Sequence, residues 1–270
     1  MKIAINNTKL SYETVGDGYP VYFFHGMSQD STSMKENYEP LMSDGIKRIY
    51  LDLPGMGESQ DISLVNNSDD VLNLVIDFIQ QITGDQKISI CGHSYGGYIC
   101  LGLLKKIEYK INSVFITCPV IHADKENRDV SVHKNIIQEK LNIEDSYYQK
   151  FLDTNVLINQ KAWDNYQRTI LPGLKKYNIE FWNEIKTSHH YSFSFEDELT
   201  ADLADSKVKT TLLLGKNDQV VGYKDQLALL DPDNEIEIYI LNDAGHNLFT
   251  DRTKEWQDSF KKFSKSIKKN

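Results

Sequence analysis

Three features of the sequence predict an α/β protein with a mostly parallel central sheet flanked by helices. Short, continuously apolar runs alternate with segments that repeat apolar residues at helical spacing. The alternation stops at 121–206, where the pattern is helical and polar-aromatic without a clear strand, and then resumes. Repeated strand–helix units indicate a parallel sheet. We therefore expect a core formed by 1–120 and 207–270, with 121–206 inserted as a helical cap.

The elements follow in order along the chain. Gly16–Gly18 is a turn between two strands. Before the insertion, the patterns predict strands at 2–5, 10–15, 21–24, 47–51, 87–91 and 113–118, and helices at about 32–41, 69–82 and 95–107. After the insertion they predict strands at 210–214 and 235–241 and a closing helix at about 253–268. Ligands of such sheets bind beyond the carboxyl ends of the strands, so the insertion is expected to cover the site.

Composition restricts the class of protein. The 270 residues, 40% hydrophobic and 11% aromatic, suit a globular protein of one large domain or one domain with an insertion. A net charge of −9 argues against a nucleic-acid partner. The N-terminus lacks the apolar run of a signal peptide, and no segment is long enough to span a membrane. The basic tail at 261–269 is expected to be the solvated end of the closing helix.

Three cysteines indicate the redox environment. Cys91, Cys100 and Cys118 lie in apolar surroundings, lack metal-ligand spacing and cannot all pair. We expect buried free thiols, which fit a reducing compartment and predict a cytoplasmic protein.

A glycine-flanked serine is the first sign of chemistry. Ser94 lies in Gly92–Gly96, between an apolar strand and a helix. The glycines permit a sharp, strained turn that exposes the hydroxyl group. Because a serine hydroxyl is a weak nucleophile, it requires a base and a group that orients the base.

Two later loops supply those groups in the order Ser, Asp, His. Asp218 follows the strand at 210–214, and His246 follows the last strand beside Gly245. We predict that Ser94 is the nucleophile, His246 the general base and Asp218 the orienting acid. Asp243 is the rival acid, but its position three residues before His246 favours hydrogen bonds to nearby backbone.

Two backbone N–H groups are candidates for an oxyanion hole. Tyr95 begins the helix after the nucleophile, and Met27 follows the strand at 21–24, where Gly26 permits a turn. His25, in the same loop, is expected to be structural, and Asp52 is expected to order the glycine-rich turn that follows it.

No metal site is expected from the sequence. The histidines of the insertion lack the HExxH pattern and have no supporting cluster of Cys or carboxylate residues, and His189 and His190 are expected to form a surface pair. The aromatic residues of the insertion are expected to form mostly its own core; they are Trp163, Tyr166, Phe181, Trp182, Tyr191, Phe193 and Phe195.

These motifs together resemble the α/β-hydrolase superfamily over the whole chain. They comprise His25-Gly26, Asp52–Ser59, Gly92–Gly97, Asp218 and Gly245-His246. The resemblance implies a Ser94–His246–Asp218 triad, oxyanion donors at Met27 and Tyr95, and a helical cap over the site. The insertion is similar to the lids of small-molecule esterases and carbon–carbon bond hydrolases. Tyr95 stands where proline iminopeptidases usually have tryptophan, which disfavours peptidase activity.

The sequence therefore predicts a cofactor-free serine hydrolase acting on a small acyl compound, with a carboxylic ester favoured and an acyl-enzyme intermediate. Two alternatives stay open: a carbon–carbon bond hydrolase, or a lyase or synthase, that uses the same triad, and a non-catalytic ligand receptor with this fold. Fold-level resemblance does not identify the substrate, and the sequence leaves the oligomeric state open.

Overall fold

An eight-stranded sheet forms the centre of the protein, in a computed structural model that describes residues 1–267. Its strands are β1 (Lys2–Ile5), β2 (Thr8–Val15), β3 (Tyr19–Phe24), β4 (Ile46–Leu51), β5 (Ile88–His93), β6 (Ile111–Thr117), β9 (Lys209–Gly215) and β10 (Ile236–Leu241). The spatial order is β1-β2-β4-β3-β5-β6-β9-β10. The β1–β2 and β2–β4 pairs are antiparallel, and the other pairs are parallel. The predicted fold class is confirmed.

Helices flank this sheet and form much of the segment between β6 and β9. They are α1 (Ser31–Tyr38), α2 (Ser68–Thr83), α3 (Tyr95–Ile107), α4 (Tyr148–Thr154), α5 (Gln160–Thr169), α6 (Leu171–Leu174), α7 (Ile179–Thr187), α8 (Leu199–Ala204), α9 (Leu248–Asp251) and α10 (Thr253–Ser266). Among the helices in residues 1–267, none is both long and apolar enough to cross a membrane.

The central strands are buried because they carry apolar residues on both faces. Every residue of β3 and β5 is buried, as expected for parallel strands covered by helices on either side. Helix α2 instead buries one face, and its start is defined by Asn67, whose side chain accepts a hydrogen bond from the backbone N–H of Asp70. Because β5, β6 and β9 run parallel to one another, their carboxyl ends lie at the same edge of the sheet.

The segment between β6 and β9 departs from the expected all-helical pattern. It contains a pair of two-residue parallel strands, β7 (Ile136–Ile137) and β8 (Leu157–Ile158), and the chain from 128 to 147 contains no helix. The prediction of no strand was wrong because such short strands are stabilised by pairing across twenty residues rather than by a local pattern.

Trp182 attaches this segment to the loop after β4 and to the start of α3. Trp182 of α7 is fully buried, donates its indole N–H to the Pro54 carbonyl at 3.1 Å, and meets Tyr95 edge-to-face at 5.2 Å. A separate small core forms inside the segment around Phe151 and Trp163.

One predicted helix end differs from the structure, and another lies outside the described residues. The helix expected at 32–41 ends at Tyr38 and continues as a 3₁₀ turn, Glu39–Leu41, which contains Pro40. The closing helix α10 ends at Ser266, so the predicted end at Lys268, like the Lys268-Lys269 part of the basic tail, lies outside the described residues.

Candidate active site

Ser94 lies at a strained turn between β5 and α3. Its φ of 54° is in the left-handed region, which is costly for a residue with a side chain. Two backbone hydrogen bonds hold the turn. The N–H of Ser94 donates to the Thr117 carbonyl at 3.0 Å, and the Ser94 carbonyl accepts from the backbone N–H of Tyr98. The strain presents the hydroxyl group at the carboxyl edge of the sheet, as the sequence predicts.

Two glycines pack closely around this turn, and at one of them, Gly96, a side chain has no space. A Cβ on Gly96 would lie 2.0 Å from the Phe24 carbonyl oxygen, so only glycine lets α3 start against β3. A Cβ on Gly26 would lie 3.1 Å from the Cβ of Ser94. The loop after β3 therefore packs directly against the serine turn.

Asp218 and His246 form a buried hydrogen-bonded pair. The Nδ1–H of His246 donates to Oδ2 of Asp218 at 2.8 Å. The other carboxylate oxygen, Oδ1, accepts from the backbone N–H groups of Val220 at 2.7 Å and Val221 at 3.0 Å. These bonds hold the fully buried carboxylate in one orientation, which directs one oxygen at the imidazole. Ser94 and His246 line one cavity.

The two candidate oxyanion donors flank Ser94. Tyr95 is the first residue of α3, where backbone N–H groups lack an intrahelical acceptor. Met27 lies in the loop that Gly26 holds against Ser94. Within residues 1–267, neither backbone N–H donates a hydrogen bond to a protein acceptor.

The rival acids have other partners. Asp243 is exposed and pairs with Arg252 at 2.8 Å, an ion pair where the sequence predicts backbone hydrogen bonds. The carboxylate of Asp52 accepts from the backbone N–H groups of Ser31 and Glu58, which orders the turn after β4.

His25 is part of the same framework. It is fully buried, accepts from the Leu53 N–H through Nε2 at 3.0 Å, and hydrogen-bonds the Gly26 carbonyl through Nδ1. Burial lowers the pKa of His25, so the ring is neutral and holds the loop in place.

Together with Cys118, the Asp218–His246 pair forms a cluster that has the residue types of a metal site. Cys118, Asp218 and His246 each place a ligand atom within 4.8 Å of the others. The oxygens of Asp218 already accept hydrogen bonds from three N–H groups, and one of these donors is Nδ1–H of His246. Burial raises the pKa of the Cys118 thiol, which favours the neutral form over a metal-binding thiolate. The donor set therefore suits a hydrogen-bonded pair better than a metal ion.

The three cysteines are free and buried, as predicted. His189 and His190 are both exposed, but only part of the surface-pair expectation is met, because His189 lines the cavity. Of the aromatic residues of the segment, Tyr166 and Tyr191 line the cavity as well. The other aromatic residues pack elsewhere. The sequence could not separate the two groups, since cavity and core positions share the same aromatic pattern.

The cavity above Ser94 has a volume of about 580 Å³, a size typical of sites for small molecules. Its walls come from the loop after β3, the segment between β6 and β9, and the loops that carry Asp218 and His246. Four cations line it: Lys125, Arg128, Lys150 and Lys186. The sequence does not identify these four as cavity residues, because a lysine or arginine that lines a cavity has the same sequence pattern as a solvated one.

Asp251 is a second residue that the sequence does not reveal. Its buried carboxylate accepts from the Gly245 N–H at 2.7 Å and from the Leu157 N–H at 3.0 Å, which connects the loop of His246 to β8. Burial raises the pKa of Asp251 to about 6.

The fold and this arrangement of residues define an α/β-hydrolase. The sequence pattern of the family described as serine aminopeptidase, S33, matches residues 19–253. The chain therefore belongs to the serine aminopeptidase S33 family.

Individual proteins are similar to this chain. The structure is similar to that of an α/β superfamily hydrolase from Oenococcus oeni PSU-1, with a TM-score of 0.90 and 39% identity over 97% of each chain. It also resembles a thermophilic esterase from Thermogutta terrifontis, with a TM-score of 0.72 and 19% identity over 99% of this chain and 98% of that one. In sequence, the chain is 22% identical over 254 residues to the 2-hydroxy-6-oxononadienedioate/2-hydroxy-6-oxononatrienedioate hydrolase of Escherichia coli (strain K12), covering 88% of this chain and 84% of that protein.

Proposed function

We propose that this α/β-hydrolase is a serine hydrolase that cleaves a small carboxylic ester through a Ser94–His246–Asp218 triad. The observation that carries the proposal is the oriented Asp218–His246 pair, which shares a cavity with a serine held at a positive φ. Strain of this kind at a cavity is typical of functional residues.

The first half of the reaction forms an acyl-enzyme. The Ser94 hydroxyl attacks the ester carbonyl while Nε2 of His246 takes its proton, because Nδ1 of His246 holds its proton toward Asp218. The backbone N–H groups of Met27 and Tyr95 stabilise the negative oxygen of the tetrahedral intermediate. When the carbon–oxygen bond breaks, the leaving alkoxide receives the proton from His246.

The second half releases the acid. Water attacks the acyl-enzyme and gives a proton to His246, and Ser94 then leaves with that proton, which restores the free enzyme. Asp218 stays ionised throughout and stabilises the imidazolium form of His246. We further propose that 121–206 serves as a cap and 1–120 with 207–270 as the core, since the segment supplies much of the cavity wall.

A carbon–carbon bond hydrolase is the second candidate. The similarity to the Escherichia coli hydrolase extends over most of both chains, and that protein's name describes a dioate substrate. The family description names an aminopeptidase, so aminopeptidase activity is the third candidate to test. A ligand receptor is less well supported, because binding alone does not require a buried, hydrogen-bonded His246–Asp218 pair in the same cavity as Ser94.

Pre-steady-state kinetics with 4-nitrophenyl butyrate tests the proposal. We expect a burst of nitrophenolate equal to the enzyme concentration, and loss of turnover by about 10³-fold or more in Ser94→Ala. Ser63→Ala is a matched control, since Ser63 lies on a distant exposed turn and hydrogen-bonds Asp61. Turnover of Ser94→Ala above a tenth of the wild-type rate would rule out Ser94 as the nucleophile.

Substrate comparison separates the candidates. An ester hydrolase cleaves the butyrate faster than a 2-hydroxy-6-oxo-dienoate or an amino-acid 4-nitroanilide. A kcat/KM that is higher for the dienoate would instead favour the carbon–carbon bond hydrolase, and a higher value for the anilide would favour an aminopeptidase.

A further inference from the structure

The cavity above Ser94 has a charge opposite to that of the whole protein. The chain has a net charge of −9, yet among the described residues four cations line the cavity, against the single carboxylate of Asp124. Asp124 is exposed, and its Oδ1 accepts from the backbone N–H of Glu126. The cavity is therefore a local positive site on an acidic protein, and it attracts anions.

The arginine of the cavity differs from the other arginines of the chain. Three arginines pair with carboxylates: Arg48 with Glu39, Arg168 with Glu36 and Arg252 with Asp243. Arg128 is half-buried, and within residues 1–267 it donates only to backbone carbonyls, those of His122, Ala123 and Val220, at 2.7–3.1 Å. Because these acceptors are neutral, they orient the guanidinium group and leave its charge uncompensated.

The bond to Val220 couples Arg128 to the catalytic loop. The Val220 carbonyl accepts from Arg128 at 3.1 Å, and the Val220 N–H donates to Asp218 at 2.7 Å. Arg128 is thus held by the same loop that holds Asp218.

Two lysines on α4 and α7 add to the positive charge. Lys150 and Lys186 line the cavity, and within residues 1–267 neither forms an ion pair with a carboxylate. Burial lowers the pKa of Lys186, and the charges of Arg128 and Lys150 lower it further. Lys186 also lies near the rings of Tyr177 and Tyr191, at 5.9 and 5.8 Å from their centroids. The repulsion between these like charges is relieved when an anion binds among them.

We propose that the substrate of this hydrolase carries, besides the scissile acyl group, a second, anionic group that Arg128, Lys150 and Lys186 bind. This inference rests on the proposed hydrolysis at Ser94 and specifies its substrate class. Arg128 supplies the oriented guanidinium that recognises a carboxylate or phosphate-like anion, and Lys150 and Lys186 supply further positive charge along the cavity wall.

Paired esters test the proposal. The 4-nitrophenyl monoester of glutaric acid carries a terminal carboxylate, and 4-nitrophenyl 5-methylhexanoate replaces that carboxylate with an isopropyl group of similar shape. We expect the wild-type kcat/KM to be at least about 10-fold higher for the glutarate ester at low salt. We expect this ratio to fall in 0.5 M NaCl, since exposed charges are screened. The 4-nitrophenyl ester of 4-phosphonobutanoic acid shows whether carboxylate or phosphonate is preferred.

Variants identify the residues that bind the anion. Lys150→Gln and Lys186→Gln should each lower the glutarate-to-methylhexanoate ratio by about 3-fold, and the double variant by more. Lys140→Gln makes the same charge change at an exposed site outside the cavity, and its ratio should equal that of the wild type. Arg128→Gln should lower the ratio most, but it also removes three backbone contacts, so the lysine variants carry the test.

The outcomes separate this inference from the proposed function. Ser94-dependent hydrolysis of both esters with equal kcat/KM would overturn the inference and leave the proposed function intact. A preference that Lys150→Gln, Lys186→Gln and their combination do not change would overturn it as well. If the wild type hydrolyses none of the esters, both the function and the inference fail.

Discussion

Replacing Asp218 with asparagine tests the orienting role of this residue most directly. In the wild type, Oδ1 accepts two backbone N–H groups, from Val220 and Val221, and Oδ2 accepts Nδ1–H of His246. An asparagine amide satisfies the two N–H groups only with its oxygen. Its NH₂ group must then face Nδ1 of His246.

That orientation moves the imidazole proton of His246 from Nδ1 to Nε2. When the amide NH₂ donates to Nδ1, the ring proton moves to Nε2, and Nε2 can no longer accept the proton of Ser94. The opposite amide orientation would place NH₂ against two buried N–H donors, which costs about 1–3 kcal/mol for each unsatisfied group. We therefore expect a loss of about 10⁴-fold in kcat, or roughly 5 kcal/mol of transition-state stabilisation.

The assay compares purified Asp218→Asn and Asp243→Asn on 4-nitrophenyl butyrate. Asp243 is the matched control, because its exposed carboxylate pairs with Arg252 at the surface and its loss should change kcat less than about 2-fold. Thermal unfolding of both variants checks that the fold is retained. The reasoning is refuted if Asp218→Asn keeps more than a tenth of the wild-type kcat, or if Asp243→Asn loses activity instead.

Three further predictions concern stability. Gly96→Ala should lower the free energy of unfolding in urea by about 3 kcal/mol, because its Cβ would meet the Phe24 carbonyl. A Cβ on Gly84 would meet no atom within 4 Å, so Gly84→Ala should cost about 1–2 kcal/mol, from the backbone strain of its φ of 53°; equal costs would contradict the role of packing at Gly96. Asp251, whose pKa is raised to about 6 from 3.8, stabilises the fold while protonated, and this stabilisation is fully present below pH 4 and lost as pH rises through 6. Relative to Asp251→Asn, the wild type should thus lose roughly 3 kcal/mol between pH 4 and 7, and parallel stability curves would exclude the shift. Trp182→Ala should cost about 3–5 kcal/mol and raise KM for the ester, measured by thermal unfolding and steady-state kinetics; an unchanged melting temperature would show that Trp182 does not anchor its segment.

The central elements could be predicted from the sequence because their signals are local. An apolar run such as β3 is buried wherever it lies in a parallel sheet, and the glycines around Ser94 reflect a turn that only glycine permits. The candidate site residues were found in the same way, since Asp218 and His246 each follow a strand and the carboxyl ends of parallel strands meet at one edge.

Other features depend on residues that are distant in sequence. The β7–β8 pair joins segments twenty residues apart, and Asp251 connects two backbone N–H groups from loops far apart in the chain. No local pattern distinguishes such residues from ordinary loop positions.

The sequence by itself therefore determined the fold class and the candidate chemistry, because burial on both strand faces and strained turns restrict which residues occur. Only the tertiary structure decided the charge of the cavity. Arg128, Lys150 and Lys186 come from a loop, α4 and α7, and each resembles a solvated surface residue in the sequence. Their electrostatic effect arises from their proximity, which the packing of the segment between β6 and β9 over the sheet creates.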